Sequence, residues 1–231
     1  MTEFNIRPLA SSQATMTADQ VFDVVQNAIV TLNLHPGAKI SENEIAGQLD
    51  VSRQPVRDAF FRLSKLGLLT IRPQRATLIS KISVESLRRA AFVRTALETS
   101  CIREATRLAS EDDLADLQKI VDQQAIAITD EPPERFHNLD DALHAKICAC
   151  GGHPYVWPLV VEQKTHMDRV RFLSLSFGRP DALTEHQAIV SAMQSRDQAA
   201  AQDLLQMHLG KIELILQKVR DEHPDYFQPE D

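Results

Sequence analysis

Apolar residues recur at helical spacing along most of the chain, with one strand-like interruption in its first third. Val21, Val24, Val25, Ala28, Ile29 and Leu32 predict a helix from a Thr17 cap to about residue 32. Pro36-Gly37 then marks a turn, and Lys39-Ile40 a brief strand. Ile45, Ala46 and Leu49 give a short second helix, with Ser41 and Glu44 in a capping-box pattern. Asp50 suits a tight turn, and Ser52 can cap a third helix that tolerates Pro55 in its first turn. Val56, Ala59, Phe60, Leu63 and Leu66 face inward on that helix, and Gly67 ends it. Residues 68–72 and 77–81 read as short strands joined around Pro73 and Arg75. Two short helices at a tight turn, followed by a two-stranded wing, outline a winged helix-turn-helix.

From Val84 onward the period is helical throughout. A long helix over 84–108 carries Leu87, Ala90, Ala91, Arg94, Leu97, Glu98 and Ile102 near one face. Further helices are predicted over 110–128, 134–149, 154–175, 182–194 and 196–222, with breaks at Pro132-Pro133, Gly151-Gly152 and Pro180. The fold class is therefore mostly α: a winged helix-turn-helix with a small β wing, then an all-α bundle of about six helices. The expected divisions are a loose arm at 1–16, the first domain at 17–81, the helical domain at 84–223, and a tail at 224–231.

Charge sharpens this division. The chain has a net charge of −7, but residues 1–81 hold nine Lys/Arg against seven Asp/Glu, and the remainder sixteen against twenty-five. Between Val51 and Lys81 seven residues are basic and only Asp58 is acidic. An acidic body with one basic face fits phosphate binding through that face, nucleic acid rather than a membrane surface. No apolar run is long enough to span a bilayer. The start of the chain lacks a signal-peptide layout, and three unevenly spaced cysteines fit reduced thiols, so a cytoplasmic location is expected. Cys148-x-Cys150 has no second thiol pair nearby and makes a weak metal motif.

Two sets of residues carry candidate chemistry. Arg53, Gln54 and Arg57 lie together at the start of the third helix, largely off its apolar face. A solvated surface explains them as well as DNA contact does on pattern alone. In the helical half, Asp140 and His144 are four apart on one helix face, beside Leu143 and Ile147. His186 is in line with Ile189, Val190 and Met193, and His208 with Leu204, Leu205 and Ile212. One buried histidine is usually a satisfied core residue. Four such groups on the apolar sides of three helices need a common partner, since each is costly to bury unpaired. A divalent transition metal would serve: three imidazoles and a carboxylate suit zinc first, then nickel or another borderline ion.

The run from Ser41 to Ser80 resembles the winged helix-turn-helix of GntR-family transcription regulators. It carries Ser41-Glu42, Ile45-Ala46 and Val51-Ser52-Arg53-Gln54-Pro55-Val56-Arg57-Asp58-Ala59, then Arg62-Leu63, Gly67-Leu68 and Pro73. The helical remainder resembles the effector-binding domain of the FadR subfamily, through Asp140-Asp141-Ala142-Leu143-His144, Glu185-His186-Gln187-Ala188-Ile189 and His208-Leu209. The resemblance implies a homodimeric, ligand-responsive regulator, commonly a repressor, on a palindromic double-stranded DNA operator. It also implies Asp140, His144, His186 and His208 as metal ligands beside a pocket for a small organic acid. Arg53 and Arg57 are then the expected base contacts, with Ser52, Gln54 and Arg75 as secondary contacts to phosphate or groove. Arg94, Arg171 and His166 are the expected effector-binding residues, although Arg94, one turn from Glu98, suits a structural ion pair as well.

Four positions depart from the family pattern. Ala76 stands where a wing glycine is common, Asn43 where a basic residue is common, Leu143 replaces phenylalanine, and His153 stands where an asparagine often contacts the effector. Two other readings use the same His/Asp set: a metal-dependent hydrolase, and a regulator whose metal is purely structural. Neither an additional general base at motif spacing nor a use for the DNA-binding half supports the first.

Overall fold

The computed structural model describes residues 16–72, 76–129 and 132–229. Helix α1 (Ala18–Val30) starts at a complete capping box in which Thr17 and Gln20 satisfy each other's backbone N–H groups. It buries Val21, Val25 and Ile29, whereas Val24, expected inward, is exposed because it falls at the edge of the stripe. Strand β1 (Lys39–Ile40) leads into α2 (Glu42–Leu49), which ends at Asp50 in the left-handed region, φ 52°. That conformation, tolerable for Asp, makes the tight turn into α3 (Arg53–Lys65). Ser52 occupies the N-cap position of α3, but its side chain makes no capping hydrogen bond, contrary to expectation. Its hydroxyl is thereby left exposed at the helix start.

Strands β2 (Leu69–Thr70) and β3 (Thr77–Ile79) complete a three-stranded antiparallel sheet ordered β1-β3-β2, with Lys39 opposite Leu78 and Leu69 opposite Ile79. Val56, Ala59, Phe60 and Leu63 close one core against α1 and the sheet. The wing turn at Pro73 and Arg75, and all but the last residue of the expected arm, lie outside the described residues.

The bundle comprises α4 (Val84–Leu108), α5 (Glu111–Thr129), α6 (Pro133–Cys150), α7 (Val156–Ser174), α8 (Arg179–Gln194), α9 (Gln198–Gly210) and α10 (Ile212–Glu222). Pro180 lies in the first turn of α8 rather than before it, a place where its missing N–H costs little. The single helix expected over 196–222 is divided at Lys211. Leu205 and Leu209 of α9 belong to the core formed with α4, α5, α6 and α8, whereas Ile212, Leu216 and Val219 of α10 pack with Met167 and Val170 of α7. One straight helix cannot point both stripes at different cores, so the axis turns between them.

The segment expected as a tail folds back. Residues Pro224–Tyr226 form a 3₁₀ turn, Phe227 is buried, and the Tyr226 carbonyl and Gln228 N–H bond the backbone of Ile82. Tyr226 and Phe227 supply the apolar surface that pins this segment over the linker.

The winged helix-turn-helix forms a head that docks on α7. The fully buried Arg169 donates from Nη1 to the Ser80 carbonyl at 2.6 Å, and Gln26 Nε2 reaches Thr165 Oγ1 at 3.4 Å. Gly67, with φ +72°, lies against His166, whose ring would stand 3.3 Å from any added Cβ.

Candidate functional site

At the head, the first turn of α3 is open to solvent. Arg53 and Arg57 are each 58% exposed and share one carboxylate, with Glu42 Oε2 at 3.3 Å from Arg53 and 3.5 Å from Arg57. Gln54 bonds Asp58 one turn on, at 2.9 Å. These groups lie at the helix end that enters a major groove in this fold. Glu42 holds the two guanidinium groups together on that surface, a pairing that bases or phosphates would have to replace.

In the bundle, α6 supplies Asp140 and His144, α8 supplies His186 and α9 supplies His208. One ligand atom from each lies within 4.8 Å of the others. Among the described residues this is the one group of His, Cys, Asp or Glu side chains so placed. The spacing follows from local sequence: each group sits on the apolar stripe of its helix, so closing the core drives all four to one point.

The ring orientations are set from behind. His144 Nδ1 lies 2.5 Å from Glu98 Oε2, His186 Nδ1 2.8 Å from Gln124 Oε1, and His208 Nδ1 2.7 Å from Glu185 Oε2. Each neighbour is an oxygen acceptor. Hydrogen bonds at His186 and His208 place the hydrogen on Nδ1 and the Nε2 lone pair inward. The Glu98 carboxylate favours the same tautomer at His144 through a close contact that lacks hydrogen-bond geometry. The His186 and His208 Nε2 atoms then face each other at 3.3 Å, and the buried His144 Nε2 has no hydrogen-bond partner. Two lone pairs at that distance repel unless a proton or cation stands between them. The separation is also about the 3.3 Å edge of a tetrahedral shell with bonds of roughly 2.0–2.1 Å. The donor set therefore fits a divalent transition metal, with Asp140 Oδ1, 3.5 Å from His186 Nε2, as the fourth donor.

The electrostatics favour the ligand-competent forms. Burial, with His208 and His144 adding to it, pushes the His186 pKa well below that of free imidazole. Burial and His144 bring His208 down to about 3. Burial alone would raise Asp140, but Arg171 and the surrounding histidines hold it well below the usual carboxylate range. Glu98, likewise buried, is pulled down to about 2 by Arg94 and His144. Each carboxylate also has a cation behind it: Arg171 pairs with Asp140, Lys211 with Glu185, and Arg94 Nε with Glu98 at 2.5 Å.

Beside the cluster a cavity of about 80 Å³ is lined by Arg94, Asp140, Arg171 and His208 together with apolar side chains. Arg94, 2% exposed, spends Nε on Glu98, while its Nη2 is buried without a partner. Arg171 reaches the same cavity but is engaged by Asp140, and at 3.5 Å by both Asp141 and Asp168. His166, expected near this pocket, is not among its lining. It projects from the opposite side of α7 to the head, against Gly67, because α7 buries residues on both flanks. His153 bonds Tyr155 at 3.2 Å in the exposed turn before α7. Arg75 lies outside the described residues.

The groups behind the ligands carry little signal in the sequence. Glu185 is adjacent to His186, and Glu98, one turn from Arg94, reads as an ion-pair partner. Gln124 carries no local signal, since α5 reaches the cluster only through packing on α6 and α8.

Comparison with known proteins agrees with both halves. Residues 17–79 match the family of bacterial regulatory proteins, gntR family, and residues 90–211 match the FCD domain. The HTH-type transcriptional repressor RspR of Escherichia coli (strain K12) is 34% identical over 213 residues, covering 91% of this chain and 93% of the relative. The chain belongs to the GntR family. This regulator is also similar, at 25% identity over 178 residues, to the gluconate operon transcriptional repressor of Bacillus subtilis (strain 168), covering 74% of this chain and 73% of that protein. The solved structure of E. coli McbR/YncC shares its fold, with a TM-score of 0.75, 20% identity, and coverage of 87% of this chain and 98% of that one. These families and relatives are transcriptional regulators rather than enzymes, which removes the hydrolase reading. Among the described residues no helix is long and apolar enough to cross a membrane.

Proposed function

We propose that this regulator is a cytoplasmic, metal-dependent repressor of the FadR type, a homodimer that reads a palindromic operator and responds to a small organic acid. One observation carries the reading. Three imidazoles and Asp140 Oδ1 converge beside a cavity lined by Arg94, whose buried Nη2 has no partner among the described residues. A zinc or similar ion there would supply a Lewis-acidic anchor for a carboxylate. Glu98, Gln124 and Glu185 orient the rings, Asp140 gives one oxygen inward and the other to Arg171, and Arg94 meets the second carboxylate oxygen.

Signal then passes along α7. Arg171 touches the cluster, while Arg169 and Thr165, on other faces of the same helix, bond Ser80 and Gln26 of the head. An effector changes operator affinity only so far as it binds one head–bundle arrangement better than another. The repressor sense follows the names of two relatives. In the dimer each Arg53 and Arg57 pair reads one half-site, as the two-fold symmetry of such operators requires.

The deciding experiment is operator binding and thermal stability of the full chain, chelated and zinc-loaded, against a panel of small carboxylates. A carboxylate that raises Tm only with zinc present, and shifts operator affinity, supports the reading. If chelation unfolds the protein and no carboxylate shifts Tm, the metal is purely structural. A footprint covering one half-site at monomer mass would overturn the dimer.

A further inference from the structure

Resting on the carboxylate-effector reading, we infer that the ligand of this site is a short monocarboxylate with a hydrocarbon body, bearing at most one further polar atom. Phe136, Met167, Leu175, Leu209, Ile212 and Ile215 make up the apolar side of the cavity wall. On its polar side most hydrogen-bonding capacity is already committed within the protein. Ser174 Oγ donates to the Arg171 carbonyl at 2.7 Å, and Arg179 donates to the carbonyls of Leu175 and Ala127 at 2.8 and 3.2 Å. Arg171 is engaged by three aspartates. Apart from the ligand cluster, two buried polar atoms on lining residues have no hydrogen-bond partner among the described residues: Arg94 Nη2 and His137 Nδ1.

Arg94 and the cluster together accommodate one carboxylate. His137, one turn before Asp140 on α6, can meet one more oxygen. Each extra hydroxyl would be pressed against aliphatic and aromatic carbon, and losing its water without a replacement bond is unfavourable. A second carboxylate would have Arg179 as its remaining cation on the wall, and that guanidinium already gives Nε and Nη1 to the Leu175 and Ala127 carbonyls, so the pairing would be incomplete. The volume of about 80 Å³ sets the size. At roughly 10–15 Å³ of such volume per water-sized group, it suits a body on the order of five to eight heavy atoms.

The test is calorimetric titration of the zinc-loaded full chain with 3-methylbutanoate, its 2-oxo counterpart, succinate and gluconate. The two branched monocarboxylates are expected to bind at least ten-fold more tightly than gluconate or succinate. Equal or tighter binding of either of the latter overturns the inference and leaves the carboxylate-effector reading standing. If zinc binds but none of the four acids does, that reading falls and takes the inference with it. Ile215→Thr, checked for an unchanged zinc affinity and a retained melting transition, should narrow the gap between 3-methylbutanoate and gluconate at least three-fold. An unchanged gap in that variant would mean that the apolar wall does not set the preference.

Discussion

Arg169 of α7 donates from Nη1 to the carbonyl oxygen of Ser80 at 2.6 Å, a single bond from a fully buried cation across the junction of head and bundle. Its Nε has no partner, and burial pulls its pKa down to about 10. Arg169→Met removes an uncompensated buried charge but strands the Ser80 carbonyl, effects of about 1–3 kcal/mol that oppose each other. The expected result is a small change in Tm with a clear loosening of the junction. Faster tryptic cleavage at Lys81 in the folded variant is the measurement; an unchanged rate would show that the bond does not hold the head.

Arg53 and Arg57 share Glu42, so their effects on operator binding should be separable from that of the pairing. Arg53→Ala and Arg57→Ala are each expected to weaken specific binding by about 1–3 kcal/mol, as loss of a bidentate base contact does. Glu42→Gln should leave specific affinity unchanged or raise it, because two exposed guanidinium groups are freed. Fluorescence anisotropy with operator and scrambled duplexes at one salt concentration checks both. Equal losses on both duplexes would assign the arginines to phosphate contacts instead.

The residues behind the histidines should matter almost as much as the ligands. Glu98→Gln, Gln124→Ala and Glu185→Gln are each expected to weaken zinc binding by about 10–100-fold, the usual effect of losing a partner that fixes ring tautomer and orientation. His144→Ala should abolish tight binding. Competition with a chromophoric chelator measures this, and unaltered affinity in all three orienting variants would contradict the assignment.

The metal-free protein should lose stability on acidification. His137, His186 and His208 have folded pKa values below that of free imidazole, chiefly through burial, so the unfolded chain binds more protons as pH falls. Their contribution is fully present above about pH 6.5 and is lost as pH drops from there toward the folded values, about 3 for His208. The depressed carboxylates Asp140 and Glu98 act in the same direction at lower pH. Urea midpoints at pH 7.5, 6.0 and 5.0 should fall in that order.

Two glycines give a paired test of packing. A Cβ at Gly151 would lie 2.7 Å from the Cys101 carbonyl oxygen, where α4 and the end of α6 touch. Gly151→Ala should destabilise by about 1–3 kcal/mol. Gly47 sits inside α2 with nothing within 4 Å of an added Cβ, so Gly47→Ala should stabilise by about 0.5–1 kcal/mol. Thermal melts of both variants decide the matter.

The sequence by itself determined the element order as far as residue 194, because periodicity and capping are local. Thr17, Ser41, Asp50 and Gly67 mark ends and turns through their own backbone preferences, and the apolar stripes state which face of each helix is buried. It also brought Asp140, His144, His186 and His208 into one hypothesis, since polar groups on apolar stripes imply a shared partner. Tertiary structure decided what those stripes meet. Which oxygen stands behind each Nδ1 depends on how α4, α5 and α8 pack on their neighbours, over sequence separations no local pattern records. The same holds for His166, which shares α7 with Arg171 but points to the head, and for the division at Lys211, where two cores compete for one helix. Arg94 forms the ion pair with Glu98 that the sequence allowed, and packing alone leaves its Nη2 unpaired among the described residues beside the cavity.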